Sequence, residues 1–324
     1  MKPFPARRDL TILAAHAAYR MAECLARRAP DLRVVEARSR EAAAARLAEA
    51  DVLLVSGFWR DDWLAQAPRL RFIQSISAGV DQYGKDALRA RHVRLASAHG
   101  VNARAVAEHA MALILSLSRR LHLARDLQAA RRWTGMASDP AQREDELGGK
   151  TLLILGYGAI GGHLAHLARA FGVKVIAVKR DLATNRGLAD EIVGPEALAD
   201  HLPRADLVAL CCPLTDETRG LIDARALAAM KPGAALINVA RGAVVDEPAM
   251  IAALQSGRLA AAALDCFVEE PLPAASPLWA MPQVIVTHHV GGETRAYEDN
   301  VVDILLDNLA RLERGDPQLR NQVV

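Results

Sequence analysis

Residues 149–161, Gly-Lys-Thr-Leu-Leu-Ile-Leu-Gly-Tyr-Gly-Ala-Ile-Gly, constrain this chain more than any other stretch. An apolar run, Thr151 to Leu155, leads straight into a Gly-x-Gly-x-x-Gly pattern, and Leu164, Leu167, Ala168 and Phe171 follow at helical spacing. Strand, tight turn and helix in that order turn a weak glycine pattern into a dinucleotide-binding signature. In this reading Gly156 allows the turn, Gly158 lets the backbone approach a pyrophosphate, and Gly161 lets the helix pack close to the strand. The N–H groups at the helix start, around Ala159 and Ile160, would meet the phosphates together with the positive end of the helix dipole. Because the glycines begin near the middle of a 324-residue chain, something sizeable must precede them.

A chain of this length exceeds what one core usually fills, which argues two domains. Before the signature, residues 10–14, 32–37, 51–55, 70–76 and 93–96 read as strands, and 17–28, 40–50 and 63–67 as helices. That alternation predicts a small α/β domain with its own parallel sheet. A long helical pattern covers 102–129, with Val106, Ala110, Leu113, Ile114, Leu117 and Leu121 recurring on one side. Its apolar face is wide enough to suit burial between domains or at a subunit interface, and the polar stretch 138–146 reads as a loop. Six further strands follow, at 151–155, 173–178, 206–210, 234–239, 260–264 and 284–287, the content of a complete doubly wound domain. A last helix, 295–313, lies beyond the sixth strand and is free to return to the first domain. The expected architecture is α/β with two doubly wound parallel-sheet domains. A Rossmann cofactor domain (100–291) is inserted into a flavodoxin-like substrate domain (1–99 and 292–324).

Hydrophobic residues make up 52% of the chain and charged residues 24%, a globular balance, and the net charge is only +2. Basic residues are interspersed with acidic ones, so neither nucleic acid nor a membrane surface is an expected partner. No apolar run is long enough to span a bilayer, and residues 1–10 lack the apolar core of a secretory signal. The four cysteines, Cys24, Cys211, Cys212 and Cys266, match no zinc spacing. They read as reduced, buried thiols of a cytoplasmic protein that holds no metal.

Hydride transfer on a hydroxy acid needs, beside the cofactor, a cation for the substrate carboxylate, an acid/base for the hydroxyl proton and a partner for that base. Arg241 lies just past the strand 234–239, Glu270 past 260–264 and His289 past 284–287. All three therefore fall at the carboxyl edge of one sheet, where open α/β sheets bind ligands. A Glu270–His289 pair would hold the imidazole in one tautomer.

Several stretches extend this pattern: Ser77 to Asp81, Gly100-Val101-Asn102 with Val106 to His109, Cys212 to Thr218, Met230 to Gly233, Asn238 to Glu247, Ala263 to Pro271 and His289 to Gly292. In their order and spacing they resemble the D-isomer-specific 2-hydroxyacid dehydrogenase family, which includes glyoxylate/hydroxypyruvate reductases and phosphoglycerate dehydrogenases. The resemblance covers nearly everything from about residue 74 onward. It implies that Arg241 binds the substrate carboxylate and carbonyl, that His289 donates the proton in reduction, and that Glu270 is its hydrogen-bonded partner. Backbone N–H groups around Ala78, Gly79 and Val80 would cradle the carboxylate from the first domain, in an interdomain cleft. Asp265 would meet the nicotinamide carboxamide, and Cys212, Pro213, Thr218, Val239, Ala240 and Gly291 would complete the cofactor's surroundings. The implied reaction is hydride transfer between NAD(P)H and a 2-oxo acid or D-2-hydroxy acid; the long apolar helix after Asn102 separately suggests a homodimer. Two alternatives share the fold: a formate- or phosphonate-type dehydrogenase and a nucleotide-sensing co-repressor.

Two departures bear on the chemistry. NAD sites usually carry an acid about 20 residues past the glycines, but here the second strand ends Val178-Lys179-Arg180-Asp181. Lys179 takes the acid's place with Arg180 beside it, which favours NADP(H); Asp181 keeps NAD(H) open. His288 stands where the family usually has proline, and an extended backbone there would put its side chain opposite that of His289. His99, His109 and His122 read as helix-face or interface histidines, and Trp133 as a core aromatic.

Overall fold

The computed structural model describes residues 4–140, 143–183 and 187–324. Ala141 and Gln142 of the expected loop at 138–146, and the first three residues of the chain, lie outside that description. The chain divides into two compact units, Met1–Asn102 with Thr294–Val324, and Ala103–Glu293.

The first unit holds a five-stranded sheet of β1 (Thr11–Ala15), β2 (Arg33–Ala37), β3 (Val52–Val55), β4 (Phe72–Ser75) and β5 (Arg94–Ala96). All its pairings are parallel and the order is β2-β1-β3-β4-β5, the flavodoxin-like arrangement. β1, β3 and β4 are buried at every position, as expected of strands covered on both faces. The C-terminal helix Tyr297–Arg314 belongs to this unit: Val301, Ile304, Leu305 and Leu309 join Leu10, Ile12 and Leu54 in one core. Each fully buried aliphatic side chain of this kind contributes roughly 1.5–3 kcal/mol. The first helix begins at Met21 rather than 17, because the His16 Nδ1 accepts the backbone N–H groups of Ala18 and Tyr19 and folds that segment into a turn. A short helix, Lys85–Ala90, had no periodic signal to announce it.

The second unit is built on a seven-stranded, all-parallel sheet: β6 (Thr151–Leu155), β7 (Lys174–Val178), β8 (Glu191–Val193), β9 (Leu207–Leu210), β10 (Ala235–Asn238), β11 (Ala261–Leu264) and β12 (Val284–Val286). Its order, β12-β11-β10-β9-β6-β7-β8, reverses direction between β6 and β9, the switch point of a doubly wound sheet. The expected six strands omit β8, three residues paired to β7 at the sheet edge, too short to carry a pattern. The helix Ala103–Ser118 packs on the helix Ala159–Ala170 over one sheet face, with Val106, Ala110, Ile114, Leu164 and Ala165 in the same core as Leu152 and Ile154.

The single long helix expected over 102–129 is two helices, Ala103–Ser118 and Leu121–Ala129, separated where Arg120 adopts a φ of +49°. Neither glycine nor proline marks that break. The second helix buries no residue, so its apolar periodicity continues without a core to serve. Trp133 also departs from expectation: it is 97% exposed, with Met136 fully exposed beside it, rather than a core aromatic.

Candidate active site

At the switch point, β6 ends at Leu155 and the chain turns through Gly156, whose φ is +96°. A Cβ there would lie 2.5 Å from the backbone nitrogen of Cys212, so the turn after β6 presses directly on the turn after β9. A Cβ on Gly161 would lie 2.3 Å from the Gly156 carbonyl oxygen, which is why the helix can start so close to the strand. Gly158 differs from both, because no atom lies within 4 Å of the place its Cβ would take. The helix that begins at Ala159 has no side-chain cap. An open cradle, free N–H donors and a positive dipole end therefore coincide, the donor set a pyrophosphate fits. The Thr218 hydroxyl donates to the Pro213 carbonyl at 2.7 Å and accepts the Thr215 N–H at 2.8 Å, folding the Pro213–Thr218 segment that follows Cys212.

Past β7, the Lys179 N–H bonds the Val193 carbonyl of β8, so the strand ends where the cations begin. The Asp181 carboxylate accepts the N–H of Ala183 at 2.9 Å. Arg180 is exposed and sits close enough to Glu217 to help hold its carboxyl below the usual range, an effect led by the Thr215 hydroxyl and the local backbone N–H.

Arg241, Glu270 and His289 follow β10, β11 and β12, whose last residues Asn238, Leu264 and Val286 are in register. Asn238, 1% exposed, accepts the Ala240 N–H on Oδ1 and donates from Nδ2 to the Arg241 carbonyl, both at 3.0 Å. It folds Val239 and Ala240 into a turn from which the exposed Arg241 projects, one guanidinium N–H donating to the Ala240 carbonyl at 2.7 Å. Past β11, the Glu270 carboxylate accepts the Phe267 N–H at 2.9 Å on Oε1 and meets His289 Nδ1 at 2.8 Å on Oε2. A carboxylate only accepts, so Nδ1 carries the proton and Nε2 is left for other partners. His289 and Glu270 are 43% and 36% exposed, open to a ligand.

The structure corrects one expectation at this point. His289 has a φ of +57°, in the left-handed region, so the backbone at 288–289 is not extended and strand alternation does not govern the His288 side chain.

Asp265, at the end of β11, is 3% exposed and both its oxygens are engaged. Oδ1 accepts the Thr287 hydroxyl at 2.6 Å and the Val290 N–H at 2.9 Å; Oδ2 accepts the Gly291 N–H at 2.9 Å. Burial opposes its charge, but hydrogen bonds from His109, Thr287, Gly291 and Val290 outweigh that and bring its pKa down to about 2. His109, expected to be an unremarkable helix-face residue, reaches into this group: its Nε2 lies 3.1 Å from the Thr287 hydroxyl and 3.4 Å from Asp265 Oδ1. Its position on the apolar helix gave no local signal of that contact.

The profile described as "D-isomer specific 2-hydroxyacid dehydrogenase, NAD binding domain" matches residues 111–291. The chain belongs to the D-isomer specific 2-hydroxyacid dehydrogenase family. Among its relatives, the glyoxylate/hydroxypyruvate reductase B of Escherichia fergusonii is 39% identical over 272 residues, 83% of each chain. The D-3-phosphoglycerate dehydrogenase of Mycobacterium leprae is 38% identical over 273 residues, 83% of this chain and 50% of that protein. The chain thus spans about half the length of the phosphoglycerate dehydrogenases it matches. A solved D-isomer specific 2-hydroxyacid dehydrogenase family protein from Aeromonas salmonicida superposes with a TM-score of 0.84 at 34% identity, covering 98% and 99% of the two chains. Both parallel-sheet units therefore follow the architecture of this dehydrogenase family. Among the described residues, no helix is long and apolar enough to cross a membrane and no cluster of His, Cys, Asp or Glu is arranged for a metal ion.

Proposed function

We propose that this chain reduces a 2-oxo acid to the D-2-hydroxy acid with a nicotinamide cofactor, and runs the reverse oxidation. The observation that carries the reading is the Glu270–His289 hydrogen bond, placed at the same sheet edge as Arg241. Gly156, Gly158 and Gly161, with the N–H groups of Ala159 and Ile160, would hold the cofactor's pyrophosphate. Cys212, Pro213, Thr218, Val239, Ala240, Asp265 and Gly291 are assigned to its surroundings. The bound cofactor supplies the hydride. Arg241 offers a planar fork to the carboxylate and carbonyl of the substrate and polarises the carbonyl. His289, with Nδ1–H fixed on Glu270, delivers a proton from Nε2 to the oxygen as it gains charge, and Glu270 stabilises the imidazolium that precedes delivery. Ala78, Gly79 and Val80, just past β4, are assigned to the substrate carboxylate.

The cofactor assigned is NADP(H), with NAD(H) as the second reading. Lys179 and Arg180 support it by putting two cations where an NAD site carries an acid, and the Asp181 carboxylate is occupied with Ala183. The buried free thiols Cys24, Cys212 and Cys266 fit a reducing, cytoplasmic setting. The assembly assigned is a homodimer, in which a second copy covers Trp133 and Met136. Assaying glyoxylate, hydroxypyruvate, pyruvate and bulkier 2-oxo acids with NADPH and NADH tests the reading. Consumption of reduced cofactor with one or more of them, forming the D-hydroxy acid wherever the product is chiral, is expected; consumption with none would overturn it.

A further inference from the structure

The hydrogens around Asp265 can be placed by counting. The carboxylate, held ionised, has none to give. Thr287 has one hydroxyl proton, and at 2.6 Å from Asp265 Oδ1 that proton is donated to the carboxylate. The Thr287 oxygen can then meet His109 Nε2, 3.1 Å away, only as an acceptor. His109 therefore carries a proton on Nε2, and the three groups form a directed chain: His109 N–H to Thr287 O–H to Asp265 carboxylate.

The same carboxylate accepts the N–H groups of Val290 and Gly291, the two residues that follow His289. Thr287 precedes His289 by two positions. His289 thus sits in a five-residue segment tied on both sides to one buried side chain, and it holds a left-handed backbone conformation that few residues other than glycine adopt without support. The imidazole of His109 closes the far side: a Cβ on Gly291 would come within 2.8 Å of Asp265 Oδ2 and 3.0 Å of His109 Cδ2. The helix Ala103–Ser118, which packs on the sheet and on the helix Ala159–Ala170, is in this way connected to the proposed proton donor.

We propose that His109, acting through the Thr287 hydroxyl and Asp265, is a positioning residue that sets the geometry of the His289 segment. The proposal rests on the assignment of His289 as the proton donor. It concerns alignment of His289 rather than binding, so its loss falls on kcat while cofactor affinity holds.

Five single variants and one double variant of the full-length chain test it, using 2-oxo acid reduction and NADPH titration. Thr287→Val and His109→Leu, which remove the hydroxyl and the donor, are expected to lower kcat about fivefold or more with little change in the NADPH Kd. Thr287→Ser and His109→Gln, which keep a donor in reach, recover most of that loss. In a His289→Ala background, adding Thr287→Val costs less than about twofold, because the group it positions is gone. Should Thr287→Val not fold, the pair His109→Leu and His109→Gln makes the same comparison. Unchanged kcat in His109→Leu overturns the proposal, and so does an equal loss with and without His289, which marks a role in folding alone. Full turnover by His289→Ala sinks instead the assignment of the proton donor, which separates the two failures.

Discussion

His289 Nδ1 and Glu270 Oε2 lie 2.8 Å apart, while the other Glu270 oxygen is held by the Phe267 N–H 2.9 Å away. The carboxylate is thus fixed by its own loop before it fixes the imidazole, and the imidazole presents a defined Nε2. Replacing His289 by Ala should lower kcat by roughly 100- to 10,000-fold, the usual worth of a positioned general acid. NADPH binding should persist, since the glycine turn is untouched. Glu270→Gln should cost less, because a neutral amide still accepts from Nδ1 but no longer stabilises the imidazolium. Steady-state kinetics with a fluorescence titration of cofactor reads both effects, and near-wild-type kcat in His289→Ala would remove it from the mechanism.

Gly158 and Gly161 should separate binding from folding. Space is open around Gly158, so Gly158→Ala should melt within a degree or two of the parent while its Kd for the cofactor rises by roughly tenfold or more. At Gly161 the added methyl would meet the Gly156 carbonyl oxygen at 2.3 Å, a backbone atom with nowhere to go. Gly161→Ala should lower both the melting temperature and the affinity. A Gly158→Ala variant that binds as tightly as the parent argues against the pyrophosphate lying over this turn.

Much of this architecture is legible in the sequence for physical reasons. Buried parallel strands are continuous apolar runs, so β6, β9, β10 and β11 stand out, and the carboxyl ends of β10, β11 and β12 then place Arg241, Glu270 and His289 on one edge. What escaped depends on contacts remote in sequence. His109 and Asp265 are 156 residues apart (265 − 109), and nothing near His109 distinguishes it from a neighbour on the same helix. The break at Arg120 lacks a breaker residue, and β8 is held at the edge by pairing with β7. An aromatic after an apolar helix suggests a core, but the helix Leu121–Ala129 buries nothing and Trp133 is exposed.

Cofactor choice is expected to reside at the end of β7. Arg180→Ser should lower kcat/KM for NADPH by roughly tenfold, about what one charge-assisted contact to a phosphate contributes, and leave the NADH value near the parent's. Lys179→Asp should go further and reverse the preference, since an acid in that place accepts the ribose 2′-hydroxyl and repels a 2′-phosphate. A parent enzyme that already prefers NADH would refute the assignment before any variant is made.

Trp133 and Met136, almost wholly exposed, should be buried in a dimer. Light scattering across a dilution series is expected to give twice the 34.9 kDa chain mass, and Trp133→Ser with Met136→Ser should shift the equilibrium toward monomer. A monomer at every concentration tested would dismiss the second copy as the cover for this segment.

His201 predicts a pH dependence of stability outside the reacting groups. Its Nδ1 faces the Ala197 carbonyl at 2.7 Å and its Nε2 the Glu191 carboxylate at 2.9 Å, so both ring nitrogens meet acceptors. Only the imidazolium satisfies both, and the Ala197 carbonyl first, then Glu191, raise its pKa above the ordinary 6.5. The Arg204 guanidinium, followed by His201, lowers the Glu191 pKa from 4.5 to about 2. A raised histidine contributes stability that is complete below 6.5 and is lost as pH climbs through the folded value. A depressed glutamate contributes stability that is complete above 4.5 and is lost as pH falls toward about 2. Melting temperature from this site should therefore be highest between the two ordinary values, 4.5 and 6.5, and decline on the alkaline side first. His201→Gln should flatten that alkaline decline, because its amide has no charge to lose. Parallel slopes for the parent and His201→Gln between pH 6.5 and the parent's folded value would rule the site out as their source.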